Sequence, residues 1–523
     1  MRSRNSSRRS VLVGAVVLVA LAVVTPLTVR AFSASPVVMG VDDGAVLTSA
    51  AAKELAVTLP EGMDHGEVRL LLDGNPVSTT SEGNRLVVTG TEPADGEHVL
   101  TAQSPGAVPL LPDDEVSRRF TVDSAPPVLT VDSEAVTDLR KPVEVKGRAE
   151  GASALSVDGK PVELGDGGSF AVTLPTAATA RFEARDVAGN VAKQEFAVKT
   201  RHPGMRAVHM SAAGWSAEVL REPVLQMIKE RRIDTVQLDI KDESGEIGYR
   251  SQVPLAGEIG ATRDYYDAKA TVDELHRLGV RVVGRLVAFR DPVLAKASWE
   301  SGKRDRVIQS SAGTPWAGSY GQYSFTNFAN PDVVAYNVEL AEEAARLGFD
   351  DILYDYIRKP EGALEQMRLP GLEGSPEDAI VDFLAQSRKA VRAHGTFVGV
   401  SVFGIAATRP GAVAQDIPRM AEYADYVAPM VYPSHWGPGE YGVSRPDSEP
   451  YEITNRSVAD FLKKVEGTGS EIIPWLQAFS MGVSYGPKEV RAQIDASKAA
   501  GAPSFLLWDP ACRYDPAALE PKS

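Results

Sequence analysis

Residues 348–360 read Gly-Phe-Asp-Asp-Ile-Leu-Tyr-Asp-Tyr-Ile-Arg-Lys-Pro, and Asp355 within them is the foremost candidate for chemistry. The stretch follows a helix-like run at 334–347 and has the character of a buried strand. Strand alternation puts Ile352, Tyr354 and Tyr356 on one face and Leu353 and Asp355 on the other. A buried carboxylate is costly unless it is paired or used. At the C-terminal end of a strand in a closed parallel barrel, Asp355 would stand at the mouth, where reacting groups gather. Pairing with Arg358 is the structural alternative.

Other strand ends offer partners. In 235–240 the residues Val236, Leu238 and Ile240 form one face, leaving Gln237, Asp239 and Lys241 on the other. Asp239 and Lys241 can equally form a structural ion pair. Arg285 carries a fixed charge suited to a sugar hydroxyl or a neighbouring carboxylate. A sixth strand ends Met430-Val431-Tyr432-Pro433-Ser434-His435-Trp436, a seventh carries Gln477, and an eighth ends Trp508-Asp509-Pro510. The loop after the third strand is aromatic, with Trp299, Trp316, Tyr320, Tyr323, Phe325 and Phe328. Such rings stack on the apolar C–H faces of sugars, or they form a small satellite core.

Should the aromatic loop serve a sugar, cleavage of its glycosidic bond would call for two flanking carboxyl groups, about 5–5.5 Å apart for retention and 6.5–9.5 Å for inversion. On this reading Asp355 is nucleophile or base and Asp239 the acid, with Asp509 as the other choice. Tyr432 and Trp508 shape the sugar subsite, and Arg285 and Gln477 bond hydroxyls. His435, Trp436, Tyr354 and Trp316 complete the candidate substrate contacts.

These residues need a scaffold, and the pattern supplies one. Eight strand-like runs alternate with amphipathic stretches: 207–210, 235–240, 280–287, 351–357, 397–403, 426–432, 472–479 and 504–508. Alternation of this kind indicates a parallel sheet, and eight repeats fit an α/β (β/α)8 TIM barrel over 205–523. A doubly wound open sheet is second, because its glycine fingerprint is absent. Upstream, short alternating runs between Gly/Asp turns predict two all-β sandwich domains, 36–124 and 125–201, divided near Ser124-Ala125-Pro126-Pro127. At the start, Arg2, Arg4, Arg8 and Arg9 precede an apolar run at 11–29. Residues 1–35 therefore read as a signal anchor or signal peptide, placing the rest outside the cytoplasm. Ser7-Arg8-Arg9-Ser10 also resembles a twin-arginine export signal.

Composition removes other classes. A net charge of −15 argues against nucleic acid as a partner. A single cysteine, Cys512, excludes an intrachain disulfide. Neither a zinc-type Cys/His spacing nor a phosphate-cradling glycine loop is present in the sequence, so no cofactor is expected.

Asn330-Pro331 ahead of a helix, the 348–360 segment and Tyr423-Ala424-Asp425-Tyr426-Val427-Ala428-Pro429-Met430-Val431-Tyr432-Pro433 together resemble the bacterial putative glycosyl hydrolase domain. This is a TIM-barrel family of largely unassigned activity, and the resemblance spans roughly 206–515. It implies glycoside hydrolysis. The 125–201 segment resembles the Ig-like modules that accompany many bacterial exported carbohydrate enzymes. Chitinase-type barrels are a more distant likeness: Asp355, Met430-Val431-Tyr432 and Trp508 match their pattern. Leu353 and Ile357 stand where the first aspartate and the catalytic glutamate should be, so chitinase-type substrate-assisted cleavage is not supported. The amylase-type strand-four pattern fails too, with Leu353 in place of its arginine.

The expected protein is an envelope or secreted hydrolase of a cell-envelope or extracellular polysaccharide, held to the membrane by its N-terminal helix if that is uncleaved. A barrel that binds glycan without cutting it, and an envelope scaffold, are the alternatives.

Overall fold

The computed structural model describes residues 37–104, 113–176 and 179–522. The apolar run at 11–29 lies outside them. No helix of the described residues is long and apolar enough to cross a membrane. Two compact units form, the first mainly from residues before 131 and the second mainly from residues after 194.

The first unit contains a four-stranded sheet (Val38–Met39, Ala56–Thr58, Arg85–Thr89, Ser78–Glu82) and a five-stranded one (Ala45–Leu47, Asp114–Val122, Gly96–Ser104, Arg69–Leu72, Asn75–Pro76). Their alternating apolar residues meet in one core: Val57, Leu86 and Val88 from one sheet, Leu70, Leu100 and Phe120 from the other. Two further all-β sheets follow, one of Val128–Asp132, Val143–Glu150 and Ser169–Leu174 and one of Lys160–Val162, Ala154–Val157, Thr179–Arg185 and Val191–Ala197.

The second unit holds eight parallel strands: β1 Arg206–Met210, β2 Thr235–Lys241, β3 Arg281–Val287, β4 Asp351–Asp355, β5 Phe397–Phe403, β6 Tyr426–Met430, β7 Trp475–Gln477 and β8 Phe505–Trp508. β1 pairs with both β2 and β8, and β5 pairs with β6, which closes the barrel. The seventh strand is in two pieces, because Pro474 cannot donate to the ladder between Glu471–Ile472 and Trp475.

Alternation sorts the side chains. Val208, Val282, Ile352, Tyr354, Val427 and Leu507 join the large core shared with the helices. Their chain neighbours Ala207, Val283, Leu353, Tyr426, Ala428 and Leu506 form a second, interior cluster with Trp475. Gly399 makes room for one of these, since a Cβ there would stand 2.1 Å from the Tyr426 ring. Helix α1, Pro331–Leu347, shows how sequence ends set the elements. Asn330 caps it by accepting from the Asp332 and Val333 amides at 3.0 and 3.3 Å, and Gly348 ends it with φ 109°.

Candidate active site

The C-terminal ends of the strands enclose a cavity of about 400 Å³, within the size range of small-ligand sites. Its charged lining residues are Glu243, Arg285 and Asp355, and Tyr356, Tyr432, Trp436, Trp475 and Trp508 supply aromatic wall.

Arg285 organises the acids. Register pairing sets it beside Asp239 across β2 and β3, and its guanidinium contacts three carboxylates. Nη1 donates to Asp239 Oδ1 at 3.1 Å and to Glu243 Oε2 at 3.1 Å. Nη2 reaches Glu243 Oε2 at 3.2 Å and Asp355 Oδ2 at 2.7 Å, and Nε donates to Asp355 Oδ2 at 2.9 Å. Arg285 is 2% exposed. Burial opposes its charge, and Asp239, Asp355 and Glu243 more than restore it, so the guanidinium is held well above its ordinary proton affinity. Because Glu243 Oε2 and Asp355 Oδ2 touch the same nitrogen, they lie no more than about 6 Å apart, below the separation of an inverting carboxylate pair.

The two acids differ in access. The Glu243 side chain is 37% exposed and that of Asp355 only 5%. Burial alone would raise Glu243, and Arg285 overrides it, holding Glu243 below the usual glutamate range. Asp355 Oδ1 accepts the amide of Tyr356 at 2.7 Å. Tyr356 has φ 51°, a left-handed conformation that bulky residues adopt seldom. That turn breaks strand alternation after Asp355, so Tyr356 and Asp355 both enter the cavity while Tyr354 does not.

Of the acids expected from sequence, Asp355 lines the cavity, whereas Asp239 lies outside its lining and is 2% exposed. Asp239 Oδ1 is shared between Arg285 and His209 Nε2, the latter at 3.0 Å. Burial raises Asp239, and the two cations outweigh it and keep the carboxyl below its ordinary value. It does not pair with Lys241. A register shift between Asp239 and Lys241 turns the lysine away, to Asp291 Oδ2 at 2.7 Å and Asn337 Oδ1 at 2.9 Å. Asp355 does not pair with Arg358 either, which donates to Glu361 at 3.0 Å and stacks on Phe403. Asp509 lies outside the cavity lining and accepts the Ala511 amide at 2.6 Å.

Among the expected sugar contacts, Tyr432, Trp508, His435 and Trp436 line the cavity. Burial lowers the proton affinity of His435, so its ring is neutral near pH 7. Gln477 is fully buried with its amide engaged: its oxygen accepts from the Ser434 amide and hydroxyl at 3.0 and 2.8 Å, and its nitrogen donates to Phe479. It braces the loop that carries His435. Tyr354 faces the helices, its ring edge-on to Phe383 at 4.9 Å. Trp316 lies outside the cavity lining, close to Gly362.

Glu243 and Trp475 are among the lining residues that escaped the sequence reading. Glu243 stands two positions beyond β2, where a scan confined to strand ends passes it by. An acid within two residues of a strand's C-terminus was the available signal. Trp475 reads as core, and it is that too, donating its indole N–H to Ser401 Oγ at 3.0 Å.

A closed parallel barrel with carboxylates and aromatic rings at its C-terminal mouth defines the second unit as a TIM-barrel domain of enzyme type. A family model described as "Putative glycosyl hydrolase domain" matches residues 207–514, more than half of the sequence, and the chain belongs to that family. No curated protein sequence matches the chain. Solved structures similar to it include a hypothetical protein from Ruminiclostridium thermocellum, 29% identical over 37% of this chain and 96% of the other, with a TM-score of 0.33. The PgaB (BpsB) glycoside hydrolase domain from Bordetella bronchiseptica is 16% identical over 59% and 95% of the two chains, with a TM-score of 0.45. The alpha-galactosidase TtGalA from Thermus thermophilus is 12% identical over 80% and 90%, with a TM-score of 0.39.

Proposed function

We propose that the barrel hydrolyses an O-glycosidic bond of a cell-envelope or extracellular polysaccharide, with Asp355 and Glu243 as the working carboxylates. The observation that carries this reading is that both acids line one aromatic-walled cavity and meet on a single Arg285 nitrogen. Asp355 is the nucleophile: Arg285 and the Tyr356 amide fix its orientation. Glu243 takes the acid role in place of Asp239, which is shut beneath the guanidinium. In the open cavity Arg285 keeps Glu243 ionised, so the acid role requires a bound sugar to exclude water and loosen that contact while Nε retains Asp355. The close spacing of the pair favours retention of anomeric configuration. Trp508, Trp436 and Tyr432 supply stacking surfaces, and His435 a neutral hydrogen-bonding edge.

The ionised state of Glu243 also favours a second reading, a barrel that binds glycan without cutting it. Asp355→Asn separates the two. In a hydrolase it abolishes release of reducing ends from polysaccharide while glycan retention survives. In a binder, wild type and variant alike release nothing.

Export belongs to the same proposal: 1–35 as signal or anchor, with the protein membrane-held or secreted, and 36–124 and 125–201 as Ig-like spacers ahead of the barrel. Detection of the barrel at the outer face of the cytoplasmic membrane, by protease accessibility in spheroplasts, tests it. Full protection from protease would end it.

A further inference from the structure

Beneath the cavity His209 touches both halves of the site without reaching the cavity itself. Its Nε2 donates to Asp239 Oδ1 at 3.0 Å, the oxygen that also accepts Arg285 Nη1 at 3.1 Å. Its ring lies against Trp508, with centroids 4.3 Å apart, and meets Trp475 edge-on at 6.3 Å. Both tryptophans line the cavity. The ring is 2% exposed; Nδ1 makes no hydrogen bond of ordinary geometry among the described residues, and the Cys512 thiol is the neighbour that favours a proton there.

We infer that His209 is a positioning residue, held as the imidazolium, which fixes Asp239 and through it the Arg285 fork that sets Asp355 and Glu243. The inference deepens the hydrolase reading and rests on it for its kinetic consequence. A neutral ring in the tautomer with Nδ1–H would place a lone pair against the Asp239 oxygen and repel it. A neutral ring with Nε2–H would keep the bond but leave Arg285 as the only cation facing three carboxylates. The imidazolium supplies both donor and charge.

The groups around it act in both directions, and those that favour the charge prevail. Asp239 on β2 favours the charged ring and Arg285 on β3 opposes it. From the segment after β8 the Cys512 thiol favours it, and the Asp509 carboxylate interacts attractively with it. Tyr514 donates its hydroxyl to the His209 carbonyl at 2.7 Å and leaves the ring free. Burial opposes the charge, and the carboxylate overrides it, pushing the imidazole up to about 9.

Ring-carbon NMR of the full chain, with His209→Gln to assign the signal, measures the titration directly. The Nε–H exchange of Arg285 reports the fork. In H209Q that exchange accelerates at least tenfold while the thermal transition stays cooperative. With a cleaved polysaccharide, kcat falls by roughly 10–100-fold, as when a partner orienting a site group is lost, KM moves little, and the alkaline limb of the wild-type profile near pH 9 disappears. His209→Asn serves if H209Q fails to fold. A ring that titrates at its ordinary value, or Arg285 exchange unchanged in both variants, overturns the inference. If the wild type cleaves no polysaccharide yet Arg285 exchange responds to the variants, the hydrolase reading falls and the positioning role stands.

Discussion

Arg285 holds Asp355 through one oxygen: Nε donates to Oδ2 at 2.9 Å, and Nη2 lies 2.7 Å from the same Oδ2 as an ion pair. Oδ1 is thereby left to the Tyr356 amide, and the carboxylate has one orientation. A lysine on the same strand offers a point charge and cannot form the fork that also reaches Asp239 and Glu243. Arg285→Lys is expected to lose most activity, and Arg285→Met to destabilise the barrel by about 3–5 kcal/mol, the scale for stranding buried charge. Urea unfolding measures the second effect; a loss within experimental scatter would show that the three carboxylates need no common cation.

Glu243 is the accessible member of the pair, so its replacement should separate activity from stability. Glu243→Gln keeps the shape and is expected to cost at least about 100-fold in kcat, in the range for lost general acid catalysis. Its stability should stay within about 1 kcal/mol of wild type, because the side chain is partly solvated. Azide rescue with retained anomeric configuration would distinguish the acid from the nucleophile. Equal activity in the variant would return the acid role to another group.

The buried His209–Asp239 pair predicts a pH dependence of stability with a definite sign. The imidazole is raised in the folded chain to about 9, against an ordinary value near 6.5 in the unfolded one. Its contribution is complete below about pH 6.5 and is lost as pH rises through about 9, amounting to roughly 3 kcal/mol. Unfolding free energies at pH 6 and 9.5 should therefore converge in His209→Asn relative to wild type. Parallel losses in both proteins would contradict the assignment.

Lys241 is fully buried and donates to Asp291 and Asn337, away from the cavity. Asp291→Asn is expected to cost about 3–5 kcal/mol by leaving that ammonium uncompensated, and the reporter of Arg285 geometry should not change. A disturbed Arg285 fork would mean that Lys241 and Asp239 share a network after all.

Gly399→Ala tests the interior packing. Its Cβ would meet the Tyr426 ring at 2.1 Å inside a filled barrel, so a loss of about 1–3 kcal/mol is expected. A variant of wild-type stability would show that Tyr426 has room to move.

Much of the architecture was legible beforehand. The predicted run at 397–403 is β5 to the residue, and 207–210 and 351–357 overlap β1 and β4, because a strand buried on both faces must be apolar at nearly every position. The helix-like run expected at 334–347 lies within the helix Pro331–Leu347, which Asn330 caps one turn earlier. What periodicity misread were places where it is interrupted. The register shift after Asp239 sends Lys241 outward, and the left-handed turn at Tyr356 brings that ring in. Gln477 shares the inward face of Trp475, but its amide is taken up by the Ser434 loop and does not reach the cavity.

The sequence by itself determined that eight strands and their intervening helices alternate, and that Asp355 lies near the C-terminal end of the fourth. It did so because burial and hydrogen-bond demand act on near neighbours, and their traces are periodic in the chain. Only the tertiary structure decided that Arg285 gathers Asp239, Glu243 and Asp355, and that Glu243 rather than Asp509 opens on the cavity. Those choices turn on distances between strand ends, which barrel closure sets and residue spacing does not encode.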